Sequence, residues 1–239
     1  MGKMIKKRTS NLIVALIPAR SGSKRIRNKN LQKIGPSTLI EISISHAKNC
    51  KKISKVFVSS DSNSILGIAQ DVGASTVLRP KNISTDKSTA NQVVEHYISF
   101  AFKNIPEFSV DSTIIYMQPT SPFRSQNLVD KCLKIFLQDF KPLVVVSKVV
   151  QHPNKMLYRS EQNTLLPYAS NSSPTSNYQD LPEIFIPTGS IYIFLVSDFQ
   201  KFGLIPITTS TPYVVDGIDS LDIDSSIDLD LARNYRGIL

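Results

Sequence analysis

Residues 11–30 read NLIVALIPARSGSKRIRNKN. The unbroken, β-branched apolar run over 12–17 predicts a strand buried on both faces, the kind found in the middle of a parallel sheet. Pro18 ends it and opens a loop of small and cationic residues: Arg20, Ser21, Gly22, Ser23, Lys24, Arg25, Arg27 and Lys29. A strand buried on both faces needs helices on both sides, so this stretch points to an α/β sheet. In such sheets ligands bind beyond the carboxyl ends of the strands. Small residues there let backbone N–H groups approach oxyanions, and Arg and Lys neutralise their charge. The spacing matches neither the P-loop nor the dinucleotide fingerprint. On these residues alone, a solvated basic loop after an ordinary strand is the competing account.

Charge sharpens the choice. The chain of 239 residues carries +9, but residues 1–55 hold 14 of the 28 Lys and Arg and one acid, Glu41. The segment 216–230 carries six aspartates and no base. A nucleic-acid binder accounts for a basic half, yet it usually interleaves bases with exposed aromatics or a recognition helix, and neither is visible. A strongly anionic small ligand with a divalent cation accounts for both ends. Two cysteines, Cys50 and Cys132, sit in helical-looking apolar patterns, which fits a reducing cytoplasm rather than a disulfide framework. No apolar run approaches a membrane span. Residues 1–10 read as a disordered basic tail, because a cationic loop and not a small-residue cleavage site follows the apolar run.

Along the chain, helical spacing begins at Leu39, and VFVSS at 56–60 predicts the next strand. Asp61 is placed to cap a helix over 62–71 that ends before Gly73. STVLRP gives a short strand ending on Arg79. The polar stretch NISTDKSTAN enters a helix with Ser88 or Thr89 near its N-cap and with Val94, Tyr97, Ile98, Ala101 and Phe102 as its core face. A buried strand over 111–117 runs into Gln118-Pro119-Thr120-Ser121-Pro122-Phe123-Arg124, whose prolines fix an irregular loop at the strand's end. A helix through Leu128, Cys132, Ile135 and Phe136 and a strand over 143–150 follow. From 151 to 187 there are five prolines and no strong periodicity, as in a long loop or irregular subdomain. The sheet resumes at 188–194, with short strands expected at 205–208 and 212–215 and a helix over Ser226–Asn234. Asp222 and Asp224 alternate around Ile223, so on an extended segment both leave one face. Two hard carboxylates side by side suit Mg²⁺. An isolated pair ahead of a helix serves equally well as caps.

Several of these tracts carry a resemblance. I-P-A-R-S-G-S-K-R-I-x-x-K-N resembles the opening signature of the CMP-sialic acid synthetases (acylneuraminate cytidylyltransferases), whose relatives activate legionaminic and pseudaminic acids. Gln118 to Arg124 resembles a second family tract, Q-P-T-S-P-[LF]-R. Thr188-Gly189-Ser190-Ile191-Tyr192-Ile193 is similar to N-G-A-I-Y-I, and Asp222-Ile223-Asp224-Ser225 to D-I-D-[ST]. The likeness spans nearly the whole chain. It implies a nucleotide-diphospho-sugar transferase-like α/β fold from residue 11 to 239, one mainly parallel (mixed) sheet sandwiched by helices. An arm at about 151–187 would reach a second subunit and help complete the sugar site, making a homodimer.

The implied reaction is transfer of CMP from CTP to the anomeric hydroxyl of a nine-carbon keto-sugar acid, with release of pyrophosphate. The resemblance assigns Arg20 and Lys24, with loop N–H groups at Ser21, Gly22 and Ser23, to the triphosphate. Asp222 and Asp224 would hold Mg²⁺ (or Mn²⁺). Asn30, Arg79 and Ser88 fall near the nucleoside, and Gln118, Lys155 and Tyr192 near the sugar acid. The implied partners are thus CTP and a nonulosonic acid, with no nucleic acid and no membrane. Two arginines of the family pattern are replaced, by Tyr178 in Y-Q-D-L-P and by Ile186 in I-P-T-G. A neutral side chain cannot replace a bidentate guanidinium. Three accounts stay open: Lys155 compensates, the acid binds differently, or the substrate is not N-acetylneuraminate. A same-fold nucleotidyltransferase for another sugar and a non-catalytic nucleotide-binding relative are the alternatives.

Overall fold

The computed structural model describes residues 12–125, 127–169 and 174–235. The tail expected at 1–10 lies outside the described residues. The chain opens with β1 (Ile13–Pro18), then a small antiparallel ladder of β2 (Lys33–Ile34) and β3 (Ser37–Thr38) that leads into α1 (Leu39–Asn49). Next come β4 (Lys55–Ser60), α2 (Asn63–Asp71), β5 (Ser75–Leu78) and α3 (Ala90–Asn104). β6 (Thr113–Tyr116), α4 (Leu128–Asp139) and β7 (Leu143–Lys148) follow. The proline-rich stretch folds as a hairpin of β8 (Leu157–Arg159) and β9 (Leu165–Pro167) between short 3₁₀ turns. β10 (Phe185–Leu195), α5 (Val196–Phe202), β11 (Thr211–Val215) and α6 (Ser226–Asn234) complete it.

Seven strands make one sheet in the order β11-β7-β10-β6-β1-β4-β5. β1 pairs in parallel with β4 and β6, β4 with β5, and β11 with β7. β10 is antiparallel to both β6 and β7, which makes the sheet mixed. The apolar run that predicted β1 lies at its centre, with Val14, Ala15, Leu16 and Ile17 all at 0% exposure. Its alternating residues feed two cores. Ile13, Ala15 and Ile17 pack with α1, α2 and α4, while Leu12, Val14 and Leu16 pack with α3 and α5. That two-sided burial explains why the strand reads as continuous rather than alternating.

Helix starts follow local chemistry. Thr38 and Glu41 form a reciprocal capping box at α1, Thr89 and Gln92 at α3, and Ser225 and Asp228 at α6. Three expectations are corrected. Asp61 does not cap α2; Ser62 does, accepting from the Ile65 N–H, and Asp61 turns to Ser21 instead. Phe102 is not core, being 44% exposed and edge-on to Phe108. Residues 205–208 form a turn and not a strand, because the Ile205 N–H bonds Asn91 Oδ1 and the Ile207 N–H bonds back to Ile205 O. β6 and β7 are also shorter than the buried runs that announced them, beginning at Thr113 and ending at Lys148.

Candidate active site

Three segments far apart in sequence meet above the carboxyl ends of β1 and β6, and a small apolar cluster pins them. Ile26 of the basic loop, Phe123 of the loop after β6, and Ile223 between the two aspartates are 7%, 4% and 0% exposed and share a core with Leu229 and Ala232 of α6. Each polar segment thus carries one apolar anchor. The Ile223 N–H also donates to Thr120 O at 2.8 Å, joining the aspartate segment to the β6 loop.

The loops after β1 and β6 border a cleft of about 250 Å³ lined by Arg20, Ser23, Lys29, Asn30, Arg79, Ser88, Gln118 and Thr120, among others. Asn30, 7% exposed, donates from Nδ2 to Arg20 O and holds the loop's turn. Arg79, the end of STVLRP, is no surface arginine: it is 4% exposed, and its Nε donates to Ser84 Oγ at 3.0 Å. Burial lowers its pKa, opposed by Tyr116 and Asp61. Among the described residues no carboxylate comes within ion-pair distance of it. A buried guanidinium facing a cleft without a counter-ion is set up for an anion.

The remaining cations are held by acids from elsewhere. Asp86, in the turn before α3, bridges Arg20 Nη1 at 2.7 Å and Lys24 Nζ at 2.8 Å. Lys24, and after it Arg20, hold the Asp86 carboxyl below its ordinary pKa. Asp224 bridges Lys29 Nζ at 2.9 Å and Arg25 Nη1 at 3.3 Å. Asp61 accepts from both the N–H and the hydroxyl of Ser21, and these bonds outweigh burial to leave its carboxyl below the usual range.

Asp222 is different in kind. Its Oδ1 is sealed from solvent with no partner. Burial raises its pKa, a Thr120 hydrogen bond opposes that, and Asp224 adds to the rise. An unsatisfied buried carboxylate oxygen beside a second carboxylate is an unfavourable pair that a divalent cation would relieve, so these residues fit Mg²⁺. The segment that carries them is not part of a strand; Asp222 is half-buried, and Asp224 is exposed and paired to the basic loop.

Gln118 is positioned by backbone stitching. Its N–H donates to Gly189 O, Ser121 Oγ donates to Thr188 O at 2.7 Å, and the Arg124 guanidinium reaches Gln118 O at 2.8 Å and Ser190 O at 3.1 Å. Gly189 sits at φ +78 in the bulge of β10, where a Cβ would lie 2.5 Å from Gln118 Oε1. Only glycine permits both that backbone and that approach. A second cavity of about 330 Å³ adjoins the first through Ala90, Tyr116 and Gln118 and is lined by Tyr192. Tyr192 is 9% exposed, so it is at once a core aromatic and a cavity wall.

Of the residues singled out from sequence, Arg20, Ser23, Asn30, Arg79, Ser88 and Gln118 come together in one cleft, and Tyr192 in the adjoining one. Ser21 and Gly22 do not line it, and the Ser21 N–H is committed to Asp61. Lys24 stands at the rim, its side chain 85% exposed. Lys155 lines neither cavity of its own chain and donates instead to Ser176 O within the proline-rich segment. Sequence reasoning gave no role to Asp86, named Lys29 only among the cations of the loop, and read Asp61 only as a helix cap. Lys29 stood in the basic loop and Asp86 in a polar stretch facing it, but their pairings cross long separations.

A family model described as cytidylyltransferase matches residues 14–183, which contain the basic loop, Arg79, Ser88 and Gln118. The chain belongs to the cytidylyltransferase family. It is 31% identical to the N-acylneuraminate cytidylyltransferase of Escherichia coli O18:K1:H7, covering 92% of this chain and 51% of that protein, so it spans about half that relative's length. It is 30% identical to the CMP-N,N'-diacetyllegionaminic acid synthase of Legionella pneumophila, covering 90% of this chain and 92% of that one. A solved CMP:2-keto-3-deoxy-manno-octonic acid synthetase complexed with CTP superposes with a TM-score of 0.64 at 14% identity, over 93% of this chain and 97% of that one. The last shows that the chain shares its fold with that synthetase.

Proposed function

We propose that this cytidylyltransferase transfers CMP from CTP to the anomeric hydroxyl of a nine-carbon keto-sugar acid of sialic or legionaminic type. The single observation that carries the reading is the buried Arg79, with no carboxylate in ion-pair range among the described residues, facing the same cleft as Arg20 and Lys29. A triphosphate would bring Arg79 the anionic partner it lacks.

In the proposed step the anomeric oxygen attacks the α-phosphorus, a new P–O bond forms as the hydroxyl proton passes to solvent, and the bond to the departing pyrophosphate breaks. Such transfers depend on neutralisation and in-line positioning more than on covalent help. Arg20, Lys24 and Lys29 neutralise the phosphates, and Asn30, Arg79 and Ser88 hold the nucleoside side. Gln118 and Tyr192 hold the acceptor. Asp222 and Asp224 are the residues that would bind Mg²⁺, which when bound supplies Lewis-acid neutralisation of phosphoryl oxygens.

Residues 11–239 work as one nucleotidyltransferase domain, and the arm joins a homodimer. The β8–β9 hairpin leaves Leu157, Leu165, Leu166 and Tyr168 at 44%, 66%, 39% and 69% exposure, more apolar surface than a small hairpin leaves to water. Its base is fixed: His152, 2% exposed, is held by Pro182 O and the Asn154 N–H, and Tyr178 donates to Val149 O. A second copy would cover that surface and bring Lys155 to its partner's sugar site. Both cysteines are buried and free, in keeping with a cytoplasmic location, and no helix among the described residues is long and apolar enough to cross a membrane.

Pyrophosphate release from CTP and Mg²⁺ with a panel of keto-sugar acids tests the reading. Release with at least one acid, abolished in Asp222→Asn, is the expected result. CTP that fails to bind would remove the cleft assignment altogether.

A further inference from the structure

The adjoining cavity has a composition that the nucleotide cleft does not. Its far wall is the turn after α5, which presents Leu204, Ile205, Ile207 and Thr208, and no charged side chain lines it. The turn spends its polar groups on itself and its neighbours. The Ile205 N–H goes to Asn91 Oδ1 at 3.0 Å, the Ile207 N–H to Ile205 O at 2.8 Å, the Ser210 N–H to Ile207 O at 3.1 Å, and the Ser210 hydroxyl to Pro206 O. What remains toward the cavity is mostly methyl surface beside the Thr208 hydroxyl, and Leu204 and Ile207 stay 44% and 40% exposed. Exposed apolar groups on the wall of a site favour an apolar occupant.

We propose, resting on the cytidylyl-transfer reading, that the acceptor is a keto-sugar acid whose tail carries methyl and acylamido groups in place of hydroxyls, and that Leu204 and Ile207 set this preference. The cavity continues from the cleft through Tyr116 and Gln118, so an acceptor seated against Gln118 projects its tail toward this wall. A hydroxyl there gives up water without gaining a partner from Leu204 or Ile207, whereas a methyl removes apolar surface from water. An acylamido group offers methyl surface to the leucine and isoleucine and an amide to the Thr208 and Tyr192 hydroxyls.

The test compares N-acetylneuraminate with N,N'-diacetyllegionaminate, which share ring stereochemistry and differ on the tail by an acylamido for a hydroxyl and a methyl for a hydroxymethyl. Pyrophosphate release is measured for both acids with the full chain, Leu204→Ser and Ile207→Asn. The expected wild-type preference in kcat/KM is about 10- to 100-fold for the diacylamido acid, the range one or two apolar groups provide in a pocket. Either substitution should bring that ratio down about fivefold or more, with the KM for CTP unchanged. The ratio of two substrates on one preparation does not depend on how much of a variant folds. A wild-type ratio at or below unity overturns the inference while leaving cytidylyl transfer intact. So do variants that slow both acids equally, and variants that alter dimer formation but not the ratio, which would give this cavity to a second copy's arm. Absence of release with every acid overturns the cytidylyl-transfer reading and this inference with it.

Discussion

The loops that follow β1 and β6 both carry arginine, and they use it in opposite ways. Arg20 stands at the cleft's edge with a side chain 34% exposed, paired to Asp86. Arg124 is 4% exposed and bonds to the carbonyl oxygens of Gln118 and Ser190 and to Ser43 Oγ, with no carboxylate within ion-pair range among the described residues. Burial draws its pKa down to about 9, still charged at neutral pH. The first arrangement can be taken apart by an anion, because water and mobile acids stand ready to replace it. The second cannot, since its acceptors are two main-chain oxygens and one buried serine hydroxyl. One loop is built to exchange partners and the other to hold Gln118 still.

Removing the clamp is therefore the most damaging single change. Arg124→Met takes its donors from Ser190 O and one of two donors from Gln118 O in a dry interior and should cost about 3–5 kcal/mol of stability. Urea unfolding would register this as a lower midpoint, and the surviving folded enzyme should turn over slowly because Gln118 has lost its tether. Arg124→Lys keeps the charge but not the fork and should fall between. A loss under about 1 kcal/mol in Arg124→Met would erase the distinction between the two loops.

The exposed loop should show the reverse pattern. Lys29 lines the cleft with a side chain 13% exposed and pairs with Asp224, so Lys29→Met should lower kcat about 100-fold while stability moves by about 1 kcal/mol or less. Asp86 competes with phosphate for Arg20 and Lys24, so Asp86→Asn should tighten CTP binding about two- to fivefold. Titration calorimetry with CTP reads it directly. Weaker binding in Asp86→Asn would instead make the aspartate a support for the loop.

The same contrast explains what could be read from the chain. β1 and the paired cleft loops were legible because each rests on a local pattern: an apolar run, small and cationic residues after it, and prolines after a strand. Asp61 was misread because S-D-S offers two adjacent caps, and the deciding contact, Ser21, lies 40 residues away. The turn at 205–208 defeated strand propensity for a similar reason, since Asn91 claims the Ile205 N–H across 114 residues. The meeting of Ile26, Phe123 and Ile223 is likewise a tertiary event: each looked like an incidental apolar residue inside a polar motif. The motifs announced the chemistry, and the anchors that assemble them were visible only in three dimensions.

The smallest effect concerns the edge of the clamp. Burial, and then the Arg124 charge, lower the His46 pKa to about 4. The unfolded chain, with a histidine pKa near 6.5, therefore binds a proton that the folded chain refuses between those values. Stability contributed by neutral His46 is complete above about pH 6.5 and is lost as pH falls toward 4. His46 retains some contact with solvent, so the loss should be on the order of 1 kcal/mol rather than the full value of the shift. The Asp86 pairs lose stability in the same direction but at lower pH, since a depressed carboxyl keeps its ion pairs until the pH drops below the ordinary aspartate range. Comparing urea midpoints at pH 7 and pH 5 for the wild type and His46→Gln isolates the buried region, because the Asp86 pairs persist at both. The variant should lose less stability than the wild type on acidification. Equal losses would mean that His46 is hydrated and that the clamp's electrostatic reach ends at Ser43.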